Sequence, residues 1–142
     1  MIKRLSKAEF EAIYSKVPRL CVEVVIRNAN GVVLVKRDIP PRKGWWHFPG
    51  GTVLLGERLT DAVERVARDE LGVEVEIKKQ IGYLEYLDGS GAGFPVGIAF
   101  LVEPKGEVKA GVGNAEVGYF KVVPIKTLSV LKKFLKEKFE II

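Results

Sequence analysis

The stretch from residue 46 to residue 73, WHFPGGTVLLGERLTDAVERVARDELGV, constrains this chain more than any other. It contains a Gly-rich turn at Pro49-Gly50-Gly51, a short apolar loop, and a charged helix with Thr60 as the expected N-cap and Gly72 as its stop. At about 100° per residue, Leu59, Ala62, Val63, Val66 and Ala67 share one apolar arc. Glu70 projects into the middle of that arc, where a carboxylate is costly unless something pairs with it. Asp69 and Glu70 also occupy the last turn, where the helix dipole disfavours negative charge by about 0.3–1 kcal/mol each. Two readings follow. In one, the helix end frays, Glu70 reaches water and Arg65 pairs with Asp69 at i, i+4. In the other, Gly50 and Gly51 let the backbone approach a ligand closely, and the two acids serve a hard divalent cation that bridges to substrate phosphates.

The stretch resembles the Nudix box, G-x5-E-x7-R-E-U-x-E-E-x-G-U with U aliphatic. Gly51, Glu57, Arg65, Ala67, Asp69 (for Glu), Glu70, Gly72 and Val73 match it, preceded by Phe48-Pro49-Gly50. Val66 departs, standing where the family usually has a glutamate. The GDP-mannose mannosyl hydrolase branch also lacks that glutamate, and its box is similar to this one through Gly50, Gly51, Val53, Glu57, Leu59, Ala62, Arg65, Glu70, Leu71 and Gly72. The likeness extends upstream over Leu5, Phe10, the 18–20 region, Gly31, Lys36 and Arg37, and is weak in the second half of the chain. It implies an α/β Nudix fold: an α/β/α sandwich around a mixed β-sheet.

With 142 residues, 47% hydrophobic and 29% charged, the chain is expected to be one Nudix domain over 1–142, with a helical extension at 1–17 and the box at 50–73. No apolar run approaches the roughly 20 residues that span a membrane, and MIKRLSKAEF lacks a signal-peptide core, so a cytoplasmic protein is expected. One cysteine and one histidine exclude a tetrahedral zinc site within one chain. Cys21 is read as a small core residue and His47 as a structural one. The net charge of +5 suits an anionic partner. The lysines at 132, 133, 136 and 138 are read as a solvated helix face, and nucleic acid is not the expected partner.

Along the chain, Ser6-Lys7-Ala8-Glu9 forms a capping box with Leu5 and Phe10 as its staple, opening a helix from Lys7 to about Ser15. Strands are expected at Leu20–Arg27 and Val32–Arg37, across a turn at 28–31. Glu23 interrupts the first strand: it is either an edge residue facing water or, as the resemblance implies, a carboxylate lining the site. Arg37 is a candidate diphosphate contact. One of Trp45 and Trp46 should pack in the core while the other stacks on a base or sugar, with Trp46 the candidate substrate residue. One long or two short strands lie between Val73 and Leu87, then a loop at Asp88–Gly93 of the kind that covers substrates. A strand at Gly97–Val102, a Gly-rich loop at Lys109–Gly118, a strand at Tyr119–Val123 and a helix opened by Pro124 complete the chain, the helix burying Leu128, Leu131, Phe134 and Leu135.

The resemblance implies a metal held by a Gly50 or Gly51 carbonyl, Glu70 and the late-loop amide Asn114. Asp69 retains a metal position of the ordinary box. The mannosyl branch's catalytic histidine corresponds to Ala115, and an arginine it uses at the leaving group corresponds to Thr52. Glu116, the carboxylate beside Asn114, is therefore the candidate general base, with Glu57 and Arg65 as further catalytic candidates. The expected function is hydrolysis of a nucleoside diphosphate-linked small molecule, a nucleotide-sugar of the GDP-mannose kind, at phosphorus or at the sugar carbon. Mg²⁺, or Mn²⁺ in its place, is the expected cofactor and a homodimer the expected assembly. The competing reading is a Nudix domain of weak activity that binds or senses a nucleotide or nucleotide-sugar.

Overall fold

A computed structural model describes residues 3–87 and 93–142. The elements are α1 (Lys7–Tyr14), β1 (Arg19–Val25), β2 (Arg27–Asn28), β3 (Gly31–Arg37), β4 (Trp46–His47), β5 (Gly50–Thr52), α2 (Leu59–Leu71), β6 (Val75–Glu85), β7 (Pro95–Pro104), β8 (Asn114–Phe120) and α3 (Ser129–Phe139). One sheet runs β5-β1-β7-β6 and is mixed: β1 is parallel to β7, and the other pairs are antiparallel. The second sheet places β3 between β2, β4 and β8, all antiparallel to it.

Strand periodicity divides the core between two helical layers. Val22, Val24, Ile26, Val33 and Val35 pack with Ala62, Val63, Val66, Ala67 and Leu71 of α2. The alternate residues Val25, Val32 and Leu34 pack with Leu131, Phe134 and Leu135 of α3. This is the expected α/β/α arrangement. Val63, Val66 and Leu71 are almost completely buried, each worth about 1.5–3 kcal/mol, so the apolar arc of α2 anchors the box helix.

Several boundaries differ from the sequence expectation. The Gly-rich turn expected at Pro49-Gly50-Gly51 gives way to a short strand, Gly50–Thr52, paired with β1. β1 stops at Val25, and Arg27–Asn28 pairs separately with β3. A single β6 replaces the two-strand option, bulged between Ile77 and Lys79 and between Gln80 and Gly82. The late Gly-rich loop gives way at Asn114 to β8, which pairs with β3 from Val32–Phe120 to Arg37–Asn114. That pairing is long-range and carries no local signal. α3 starts at Ser129, not Pro124, because Lys126 is drawn into a backbone bond from Trp46 and the Thr127 hydroxyl turns back to the Pro124 carbonyl. The capping box on α1 is present as expected. The loop expected at 88–93 lies, up to residue 92, outside the described residues.

Candidate active site

α2 begins at Leu59 with Arg58 as its N-cap, and no side chain caps it. Thr60 lies inside the helix, and the preceding loop is held by Glu57 instead. The Glu57 carboxylate accepts from the Leu54 amide at 3.0 Å and from Arg65 at 2.8 and 2.9 Å, and Arg65 also donates to the Thr52 carbonyl at 2.9 Å. The pair is enclosed, with side-chain exposures of 3% for Glu57 and 17% for Arg65. Arg65 holds the Glu57 carboxyl below the usual range. The expected Arg65–Asp69 alternative is not formed. Asp69 pairs with Arg4, at 3.2 Å on the surface.

The other end of α2 closes at Gly72 in the left-handed conformation. Its last carbonyls are taken by the following loop: Lys109 donates to Leu71, Gly111 to Glu70 and Val112 to Asp69. A Cβ on Gly111 would strike the Asp69 carbonyl and lie 2.9 Å from the Glu70 backbone, so only glycine allows this approach. The docking brings Asn114 to Glu70, its Nδ2 donating to Oε1 at 3.1 Å. The Gly50 amide also donates to Glu70, yet burial dominates and pushes the carboxyl up to about 7.

Two cavities meet at Phe10, Gly50 and Gly51. The first, about 750 Å³, lies between the N-terminal segment, the box loop and α2, and takes in Arg4, Arg65, Asp69 and Glu70. The second, about 580 Å³, contains Arg19, Glu23, Arg37, Trp45, Trp46 and Tyr86. Of the sequence-derived candidates, Gly50, Gly51, Arg65, Asp69 and Glu70 line the first cavity and Glu23, Arg37 and Trp46 the second. Neither cavity is lined by Glu57, Asn114 or Glu116. Glu57 stands behind Arg65 and Asn114 reaches the site through Glu70. Glu116 is on β8, not in a loop, and pairs with Lys36 at 3.0 Å with more than half its side chain exposed.

Glu23 is buried between β5 and β7, which removes the edge-strand reading. Burial pushes its carboxyl up to about 8. Trp46 is the tryptophan that packs, edge-on to Phe120 at 4.7 Å and against the α3 core, although it also borders the second cavity. Trp45 instead carries the Arg42 guanidinium over its ring at 4.9 Å. Arg37 donates to the carbonyls of Pro40 and Pro41. His47 Nδ1 lies 2.6 Å from the Phe48 carbonyl and must carry the proton, leaving Nε2 as an acceptor without a partner among the described residues. Burial lowers its pKa to about 4, so the ring is neutral. Burial pushes the Cys21 thiol up to about 11, which suits an inert core residue.

Arg4, Arg19 and Tyr86 were not singled out by the sequence. Arg19 donates to Thr52 Oγ1 at 2.9 Å and Tyr86 to Glu23 at 2.7 Å. Both contacts join residues far apart in the chain, and local sequence carries no signal for them.

A divalent cation fits the donor chemistry at Glu70. Among the described residues no cluster of three His, Cys, Asp or Glu could hold one. The donors would be the Glu70 carboxylate, a Gly50 carbonyl and the Asn114 amide oxygen, completed by water and substrate oxygens, a set that Mg²⁺ accepts.

Residues 17–142 match the model of the NUDIX domain. Over 83 residues the chain is 47% identical to the low-salt glycan biosynthesis protein Agl8 of Haloferax volcanii, covering 58% of this chain and about half of Agl8, 53%. It is 29% identical over 127 residues to an ADP-ribose pyrophosphatase of Methanocaldococcus jannaschii, covering 85% of this chain and 75% of that protein. The crystal structure of a MutT NUDIX hydrolase from Burkholderia pseudomallei superposes with a TM-score of 0.79 at 23% identity, over 87% of this chain and 99% of that one. With a domain match that runs from β1 through α3, the box loop buttressed by Glu57 and Arg65, and Glu70 buried at the end of its helix, the chain belongs to the Nudix family.

Proposed function

We propose that the chain is a Mg²⁺-dependent hydrolase of a nucleoside diphosphate linked to a second group, of the nucleotide-sugar class. The observation that carries this reading is the meeting of two ligand-sized cavities at Gly50–Gly51, with the buried Glu70 beside the junction. A diphosphate at the junction would leave one substituent in each cavity. Arg19 and Arg37 on one side and Arg4 and Arg65 on the other supply cations for its oxygens. Glu70, with Asn114 and Gly50, would hold the cation, and Asp69 borders the same cavity. A bound divalent ion, Mg²⁺ or Mn²⁺, neutralises charge developing on the diphosphate. Glu57 and Arg65 act by fixing the loop that carries Thr52 to Glu57. Glu23 contacts the substituent in the second cavity. The nucleotide-sugar class is supported by the partial likeness to a glycan biosynthesis protein, and the diphosphate linkage by the likeness to an ADP-ribose pyrophosphatase.

A second reading, a domain that binds a nucleotide without efficient turnover, is favoured by Val66. Where the family's glutamate stands, this chain has a core side chain 2% exposed. Incubation with GDP-mannose, UDP-glucose and ADP-ribose in millimolar Mg²⁺, followed by product identification, separates the outcomes. A nucleoside monophosphate with a sugar phosphate means attack at phosphorus, and a nucleoside diphosphate with free sugar means attack at carbon. Binding without products supports the second reading, and neither binding nor products overturns both.

A further inference from the structure

Glu23 is the one charged side chain among the buried polar residues of the described chain. It lies mid-strand in β1, with β5 on one side and β7 on the other. Both neighbours give up a side chain to admit it. A Cβ on Gly50 would lie 2.6 Å from Glu23 Oε2, and one on Gly97 would lie 2.7 Å from its Cγ and 2.9 Å from its Cδ. A carboxyl group in such a place is costly, and a valine there would need no such accommodation. The group is held from β6 and beyond by Tyr86, whose hydroxyl donates to Oε1 at 2.7 Å. Oε2 has no donor among the described residues, and the enclosed polar atom without a partner is His47 Nε2, so Oε2 remains open to the second cavity.

We propose that Tyr86 is a positioning residue, fixing Glu23 so that its open oxygen reads a hydroxyl group on the substituent seated in the second cavity. The inference rests on the hydrolase reading and deepens it, naming a hydroxylated ring as what this cavity selects. The cavity's own chemistry decides among ligand classes. Arg19 and Arg37 are placed to take diphosphate oxygens and would repel a cation, which leaves Glu23 to meet an uncharged group. A neutral polyhydroxy ring meets the Trp45 and Tyr86 side chains that line this cavity and offers hydroxyls that both donate and accept. Sites built to bond a hydroxyl strongly reject the analogue lacking it, because the buried partner is left unpaired.

The test uses the full chain in Mg²⁺ and GDP-mannose, UDP-glucose and ADP-ribose, each compared with analogues lacking one hydroxyl of the terminal sugar. KM and kcat are read for compounds that are cleaved, and calorimetric Kd for compounds bound without cleavage. In the parent, removing one particular hydroxyl weakens binding about tenfold. Tyr86→Phe abolishes that difference by weakening the hydroxylated ligand and leaving the deoxy analogue unchanged. Gly97→Ala, whose added Cβ presses on the same Glu23 oxygen that Tyr86 holds, does the same, and GDP alone binds all variants equally. If both variants weaken hydroxylated and deoxy ligands alike, Tyr86 is merely structural and the inference is overturned. If the parent binds and cleaves these compounds without hydroxyl discrimination, the inference falls while the hydrolase reading stands. If the parent binds none of them, both fall.

Discussion

Glu70 is the residue at which burial, helix position and chemistry conflict most directly. Its carboxyl sits at the dipole's negative end, is pushed up to about 7 by burial, and among the described residues receives donors from Asn114 and the Gly50 backbone. Glu70→Gln keeps the shape and removes the charge. In EDTA this variant should be as stable as the parent or more so, by about 0.5–1 kcal/mol. Mg²⁺ should raise the parent's melting temperature, by the equivalent of about 2.7 kcal/mol at a hundred times Kd, and leave the variant nearly unmoved. Equal stabilisation of both would exclude Glu70 as a ligand. Glu116 is the contrasting case: a general base there would lose about 10²–10⁴-fold in kcat on Glu116→Gln. Its pairing with Lys36 outside both cavities instead leads us to expect a change within about twofold and an unaltered pH–rate profile.

At the scale of elements, the box loop is rigid because α2 reaches back to hold it. Arg65 ties the Glu57 carboxylate and the Thr52 carbonyl to the helix. Arg65→Ala strands a carboxylate that is only 3% exposed, and should cost about 3 kcal/mol in urea unfolding. Activity should fall in the same variant because Thr52 to Leu55 line the first cavity. An unchanged urea midpoint would show that the loop holds itself. α1 presents the opposite situation. It buries no residue of its own, yet the segment around it closes both cavities through Arg4 and Phe10. The homodimer implied by the family resemblance would give α1 the cover it lacks among the described residues. Sedimentation of the full chain as a dimer, and of a chain lacking residues 1–16 as a monomer, is the expected result; a monomeric full chain ends the idea.

For the whole molecule, the buried acids set how stability responds to pH. Glu23 and Glu70 are raised from 4.5 to about 8 and about 7, so across that range the folded chain binds more protons than the unfolded one. Each therefore lowers stability as pH rises from about 4.5 toward its folded value. His47 acts oppositely: its pKa falls from 6.5 to about 4, so it raises stability over that interval. Between pH 6.5 and 8 the two carboxyls dominate this response. Urea midpoints in EDTA should consequently fall between pH 6.5 and 8, and Glu23→Gln should remove most of that slope. A flat parent profile would mean that neither acid is desolvated in solution. No described helix is long and apolar enough to cross a membrane.

What the sequence determined by itself is local or of fixed spacing. The apolar arc of α2, the Gly72 stop, the capping box on α1 and the Nudix pattern are all properties of residues within a few turns of one another, where periodicity and capping act directly. The placement of Glu70 on the buried side of its helix belongs with these. Tertiary structure alone decided whether Glu23 faced water, because that depends on β5 and β7 both pairing with β1. It also chose Glu57 over Asp69 as the partner of Arg65, and drew Asn114 and Glu116 into β8 by pairing them with β3. The Tyr86–Glu23 bond spans 63 residues. Such contacts arise only after distant strands meet, and no period or spacing in the chain encodes them.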